Sequence, residues 1–340
     1  MSKTTKIWLI TATALVTLGA ILFAGVMAQY DWDFTKLSTV TYVTSTYEVS
    51  DEFDRISIHV DTTEIEFVPT ENETCSIVSF EAEQVKHSAT VQNGTLVVGT
   101  VDTRKWYDHI CISLGSPKMT VYLPQNEYAS LIIETDTGDI NIPKDFTFDK
   151  IEIDGDTSDV SCFAPVANVL DVELSTGDII IDSITADQVK LTTTTGEIAV
   201  NSVTAKNNID IETDTGKVKL SNATCSNFVA ESDTGTITLK SVVATGTISI
   251  ESDTGDIRFE GSDATEISVK TDTGDVIGTL LSEKVFITET STGRINVPKT
   301  TSGGKCEITT ETGDMNIAIF GFVKYTLYNS KIDLCLFKHM

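Results

Sequence analysis

The chain has 340 residues, a hydrophobic content of 40% and a formal net charge of −26. That length suits one large domain or two ordinary ones, and the apolar share excludes a chain disordered by composition. The charge excludes nucleic acid and anionic membrane surfaces as partners of the folded part and favours cations and basic surfaces.

Residues 1–28 form the first predicted element. Ile7 to Ala28, IWLITATALVTLGAILFAGVMA, carries no charge over 22 residues, which as a helix would be about 33 Å long and enough to cross a bilayer. Lys3 and Lys6 precede it and acids follow Tyr30, so the positive-inside rule places the N-terminus in the cytoplasm and residues 29–340 outside. A retained anchor fits an apolar run longer than a usual signal core. The alternative is a cleaved signal peptide, with Val26 and Ala28 before the cut. Either reading exports the chain.

Residues 29–50, rich in Thr, Ser and Tyr, read as an extracellular spacer. Residues 51–130 alternate apolar and polar side chains in RISIHV, TEIEFVP, CSIVSFE, TLVVGTV, HICISL and KMTVYLP, which predicts strands. Asn93-Gly94 marks a hairpin turn. This stretch is expected to be a capping region that begins or covers the first coil, because an open solenoid end would expose strand edges.

From residue 131 to 318 the chain repeats itself. Thr-Gly pairs place glycine at 138, 177, 196, 216, 235, 255, 274, 293 and 313, with Ser158 of DTSDV filling the gap, in steps of 19 or 20. So short a fixed period predicts a β-solenoid whose coils cannot bury their apolar faces alone. In TISIESDTGDIRFE the alternation puts Ile248, Ile250, Ser252 and Thr254 on the inner side. Ser249, Glu251 and Asp253 then lie outside, and after Gly255 Ile257 and Phe259 point inward. The fold class is therefore all-β: a β-solenoid of about ten 19–20-residue coils behind a β-rich cap and an N-terminal helix. Each Thr-Gly is expected to turn a corner, with threonine hydroxyls stacked just inside it. Residues 319–340 abandon the repeat and read as a C-terminal cap strand or a tail.

The acids fall in two phases. Asp136, Asp214, Asp233, Asp253 and Asp272 occupy one; Asp139, Asp159, Asp178, Glu197, Asp256, Asp275 and Asp314 occupy the other, where Lys217, Thr236 and Arg294 interrupt. Stacked coils would bring like charges about 5 Å apart, which needs solvent or cations. A solvated acidic face is the leading reading. Calcium between coils is the alternative, although the known calcium repeat clusters its glycines and acids more densely.

Catalysis finds little support. His59, His87, His109 and His339 lie outside the repeats, and the constant steps leave no insertion to wall a cleft. Arg258 beside Asp256 and Glu260 reads as a surface ion pair. Asn72, Asn93 and Asn222 match a glycosylation pattern short enough to arise by chance. Cys75 and Cys111 sit in strands of one region and are a candidate disulfide; Cys162, Cys225, Cys306 and Cys335 read as buried thiols. No catalytic, cofactor or metal residue is assigned.

The serial SDTGDI and TSTGRINVP words, with an N-terminal anchor and MTVYLPQNEYASLIIETDTGDI, resemble the bacterial putative-adhesin family of TGD-repeat cell-envelope proteins over residues 40–318. The resemblance implies a solenoid at the bacterial surface, no defined enzymatic activity and an association with envelope stress. The chain is thus expected to be a non-enzymatic, membrane-anchored adhesin-like or envelope-organising scaffold, its partner a surface protein or glycan. A calcium-dependent binding module is second, and a polysaccharide-cleaving enzyme third.

Overall fold

The computed structural model describes residues 2–33, 38–106 and 115–320. The chain divides into two compact units, residues 1–197 and 198–340. Both are built from the coils of a β-solenoid, with ten Thr-Gly or Thr-Ser corners along the chain.

The first unit begins with helix α1 (Lys3–Gln29), N-capped by Ser2, whose hydroxyl accepts the Thr5 amide at 3.1 Å. Apolar side chains are exposed around it. The hydroxyls of Thr13 and Thr17 donate to carbonyls one turn back at 2.8 Å, which leaves an apolar surface suited to lipid.

Nine strands build the closed end and the first repeat coil: β1 (Tyr42–Val49), β2 (Arg55–Thr62), β3 (Glu64–Thr70), β4 (Cys75–Ala82), β5 (Val85–Gln92), β6 (Thr95–Asp102), β7 (Lys118–Pro124), β8 (Glu127–Thr137) and β9 (Ile140–Ile142). Two expectations change here. Residues 42–49 are not spacer: β1 pairs antiparallel with β4 from Tyr42 opposite Ala82 to Val49 opposite Cys75. Nor is the whole of 51–130 a cap, because β2 and β3 form a true coil, parallel to β8 and β9 on one side and to β6 and β7 on the other. Its corner at Thr63 lacks glycine, which hid it from the period; the Cβ of any other residue at Gly138 would stand 2.3 Å from the Thr63 carbonyl oxygen. The cap proper is antiparallel: β4 covers β7, β1 covers β4, and β5 joins β6 through Asn93-Gly94. Positive φ at both turn residues (52° and 77°) is what that hairpin demands.

The unit continues with β10 (Thr147–Thr157), β11 (Val160–Cys162), β12 (Val166–Thr176), β13 (Ile179–Asp182), β14 (Thr185–Ala186) and β15 (Gln188–Thr195), each long strand stacked parallel on its predecessor. The second unit repeats the plan: β16 (Ile198–Asn201), β17 (Thr204–Ala205), β18 (Asn208–Thr215), β19 (Val218–Ser221), β20 (Thr224–Cys225), β21 (Asn227–Thr234), β22 (Ile237–Lys240), β23 (Val243–Ala244), β24 (Thr247–Thr254) and β25 (Ile257–Ser262). A coil is thus a long strand, the corner, a shorter strand and a two-residue return strand. Between the last two the chain turns at a residue in the left-handed region, Ser202, Asn222 or Ser241.

Register puts like upon like. Ile209, Phe228, Ile248 and Ile267 form one buried column, and Val218, Ile237, Ile257 and Val276 another across the corner. The inner hydroxyl ladder is real but displaced from the expected position. Thr254 and its equivalents before each glycine are exposed, whereas Thr213, Ser232, Ser252 and Thr271, three residues before the glycine, are buried. After the column of small hydroxyls the last two strand residues are both exposed and burial resumes only past the glycine, so the alternation loses phase by one residue.

Glycine at the corner is required by stacking more than by dihedral angle. A Cβ at Gly255 would lie 1.9 Å from the Gly235 carbonyl oxygen, and one at Gly235 1.5 Å from that of Gly216. Ser158 stands in the place of the corner glycine, and three residues before it Gly155 occupies the inner column, where a Cβ would be 2.9 Å from Leu174 Cδ2 of the next coil.

The last coils are β26 (Glu266–Thr273), β27 (Val276–Leu280), β28 (Lys284–Thr292), β29 (Ile295–Asn296), β30 (Gly304–Thr312) and β31 (Met315–Ile319). Their stacking order departs from chain order. β30 and β31 lie directly on β26 and β27, and β28 and β29 stack outside them. Residues 281–284 pass over Gly303 and Gly304, where a Cβ would meet the Glu283 and Thr265 carbonyl oxygens within 2 Å. Lys284, nearly fully buried, reaches past the intervening coil to Asp263 at 2.6 Å and donates to Ser282 Oγ at 2.7 Å. The expected cap or tail at 319–340 lies, beyond Phe320, outside the described residues.

Candidate functional site: the carboxylate columns

The two acidic phases behave differently. In the second phase the aspartates accept the backbone amide of their counterparts one coil on: Asp139 from Asp159 (3.2 Å), Asp159 from Asp178 (2.8 Å) and Asp178 from Glu197 (2.7 Å). In the other unit Asp256 accepts from Asp275 (3.0 Å), Asp275 from Asp314 (2.8 Å) and Asp314 from Arg294 (2.8 Å). The last two steps follow the swapped coil order. These acids therefore cap amides left over where the ladder breaks at the corner. Arg294 closes the column, and its backbone and side-chain hydrogen bonds hold the Asp314 carboxyl below the usual carboxylate range.

First-phase acids point outward. Asp136, Asp214, Asp233, Asp253 and Asp272 are all exposed at the corner. Near them in the first unit, His59, Asp61, Glu134, Asp136, Asp154 and Asp156 line a shallow hollow of about 500 Å³. Partial burial, reinforced by Glu173, Glu134, Asp156 and Glu152, pushes the Asp154 carboxyl up. His59 lies between Glu134 (Nδ1 to Oε2, 2.8 Å) and Ser57 Oγ (Nε2, 2.7 Å). Among the described residues, no group of three or more His, Cys, Asp and Glu side chains is arranged to hold a metal ion.

Arg258 pairs with Asp256 at 2.6 Å on the exposed surface, and Glu260 lies 4.0 Å from Lys240. Neither forms a cleft. Cys75, Cys162, Cys225 and Cys306 are buried free thiols that burial pushes to about 12. Cys75 is therefore unpaired in the structure. Cys111 and Cys335, like His109 and His339, lie outside the described residues. Asn93 forms the hairpin turn, and Asn222 donates to Asn201 Oδ1 at 3.1 Å.

One polar cluster was missed from the sequence. Glu81 and His87 are buried inside the cap: Glu81 accepts from Tyr47 Oη (2.7 Å), from the His87 amide (2.7 Å) and from His87 Nδ1 (2.7 Å). His87 Nε2 meets Thr63 Oγ1 at 3.2 Å. Burial alone would raise the Glu81 carboxyl, but the hydrogen bonds from Ser45, Tyr47 and His87 outweigh it and bring it below its ordinary value. Burial and Glu81 together push the Tyr47 hydroxyl to about 12. The row resembles a nucleophile, imidazole and acid, but Thr63, His87 and Glu81 are sealed from solvent. It fastens β1 to the β4–β5 pair and to the corner of the first coil.

Comparison with known proteins agrees with this architecture. The Toastrack DUF4097 family model matches residues 53–210 and again 204–328. The chain belongs to the Toastrack DUF4097 family. Similar solved structures include proteins described as putative adhesins from Parabacteroides merdae (12% identity, TM-score 0.46, covering 83% of this chain and 98% of that one) and Bacteroides fragilis (13%, 0.41, 82% and 97%). A third, from Parabacteroides distasonis, has 12% identity and a TM-score of 0.45 over 82% of this chain and 98% of its own. No curated protein compared with the chain matches it.

Proposed function

We propose that this Toastrack protein is a non-enzymatic scaffold, anchored in the membrane by α1, that presents its outward acidic column to a cationic partner at the cell surface. α1 spans 27 residues, with a mean hydropathy of 2.2 over its most apolar window. The observation that carries the reading is the division of labour among the acids. The second-phase carboxylates are engaged by backbone amides within the fold. In the second unit the first-phase carboxylates Asp214, Asp233, Asp253 and Asp272 project from the corners of consecutive coils, at a repeat of about 4.8 Å. Such a column attracts positive charge along its length without enclosing any one ion. A surface protein with a basic patch, or a glycan carrying amines, has the matching chemistry.

The test is calorimetric titration of the full chain in detergent with calcium and, separately, with poly-lysine, alongside melting with and without chelator. Saturable poly-lysine binding that weakens steeply with salt, and a melting temperature indifferent to chelator, are expected. Several equivalent calcium sites with a large rise in melting temperature would replace this reading with the calcium-dependent module. Release of unsaturated sugars from an acidic glycan would replace it with an enzyme.

A further inference from the structure

Among the described residues the C-terminal coil has one unpaired edge. β28 pairs with β30 on one side, and among the described residues no strand pairs with its other side. Phe286, Thr288 and Thr290 align with buried Cys306, Ile308 and Thr310 but are only half-buried, and Ile295, aligned with buried Met315, is 45% exposed. The outward side adds apolar surface where its neighbour is charged: Val285 (37% exposed) stands opposite Lys305 and Ile287 (51%) opposite Glu307. An unpaired strand edge flanked by apolar side chains is a template for another strand.

We infer that this edge receives residues 321–340 of the same chain. The chain leaves β31 at Ile319, paired with Leu280, and the Phe320 amide donates to the Leu280 carbonyl at 2.8 Å, one coil from the open edge. Twenty residues remain beyond Phe320, the length of one repeat. Their sequence alternates as strands do, with Val323, Tyr325 and Leu327 in one phase and Ile332, Leu334 and Leu336 in another. Lys324, Lys331 and Lys338 against the single acid Asp333 give this segment the sign opposite to the rest of the chain. The family match also runs on to residue 328, beyond Ile319. A second copy is the weaker occupant, because each chain brings a net charge of −26 to the contact.

Hydrogen exchange followed by mass spectrometry tests this on the full chain in detergent, on a chain ending at Phe320 and on the full-length double variant Leu334→Lys/Leu336→Lys. Peptides covering 284–296 are expected to exchange at least about tenfold faster in both altered chains, while those covering β24 stay unchanged. If the shortened chain loses β24 protection as well, the double variant alone decides. Exchange in 284–296 that is equal in the double variant and the unaltered chain would overturn the proposal. Protection that appears only as protein concentration rises, with dimers in sedimentation, would overturn it in favour of a second copy.

Discussion

The two ends of the repeat are finished in opposite ways. At the N-terminal end the chain turns antiparallel, lays β4 over β7 and β1 over β4, and fixes the arrangement with a buried, charged hydrogen-bond cluster at Glu81. At the C-terminal end the described strands remain parallel. The penultimate chain segment is displaced to the outside, and among the described residues no strand pairs with its outer edge. A parallel coil has no intrinsic stop, since its two edges are alike, so termination needs either a change of strand direction or a further segment. One end thus shows termination by specific polar chemistry, the other by exchange of order.

That contrast can be broken most severely at Glu81. Glu81→Ala leaves the Tyr47 hydroxyl, the His87 amide and His87 Nδ1 without their buried acceptor and is expected to cost about 3 kcal/mol or more, since each buried donor left unsatisfied costs about 1–3 kcal/mol. Urea unfolding monitored by circular dichroism would read it. Next comes one substitution placed in two coils. Gly255→Ala forces a Cβ to 1.9 Å from the Gly235 carbonyl oxygen inside the stack, and should cost about 2–3 kcal/mol through overpacking. Gly293→Ala makes the same 1.9 Å approach to Gly313 but in the outermost described coil, which can lift away, so the loss should stay below about 1 kcal/mol. Equal losses in thermal melts would mean that the outer coil is as firmly held as the inner ones.

Smaller effects sharpen the electrostatic side. Asp178→Ala removes the acceptor of the Glu197 amide and should cost about 1 kcal/mol, whereas Asp178→Asn keeps an acceptor oxygen and should cost less than half of that; equilibrium denaturation compares them. The smallest effect is the pH dependence of the cap. Glu81 titrates lower folded than unfolded, so its contribution is present above the ordinary glutamate pKa of about 4.3 and is lost as pH falls through the folded value. Between pH 5 and 3 the wild-type chain should lose more stability than Glu81→Gln, measured by urea midpoints at each pH.

Much of the fold was legible because the repeat is a local code. Glycine at a fixed step, with isoleucine and valine in alternation around it, names the corner and both inner faces without reference to distant residues. What escaped was non-local. The coil at 55–70 carries no Thr-Gly, since its corner at Thr63 is met by Gly138 from the neighbouring coil. The exchange of the last two coils could not be seen, because β28 and β30 present near-equivalent inner faces to β26 and the choice between them is made by residues elsewhere, Lys284 with Asp263 and the Gly303-Gly304 crossing. Glu81 did leave a signal. It shares the inward phase of CSIVSFEA with Cys75, Ile77 and Ser79, and an acid in an apolar phase indicates a buried partner. The role of the second-phase acids was out of reach, because a carboxylate bonded to an amide one coil away looks the same in sequence as one facing water.

The exchanged coil order also bears on mechanics. In a solenoid stacked in chain order, tension on the final strand peels the outermost coil one ladder at a time. Here the final described strands are the inner pair, with β26 and β27 bonded on one side and β28 and β29 on the other. A pull transmitted through Ile319 must draw β31 and then β30 out from between two neighbours, breaking both ladders together. The C-terminal end is therefore a bolt rather than a zip under load.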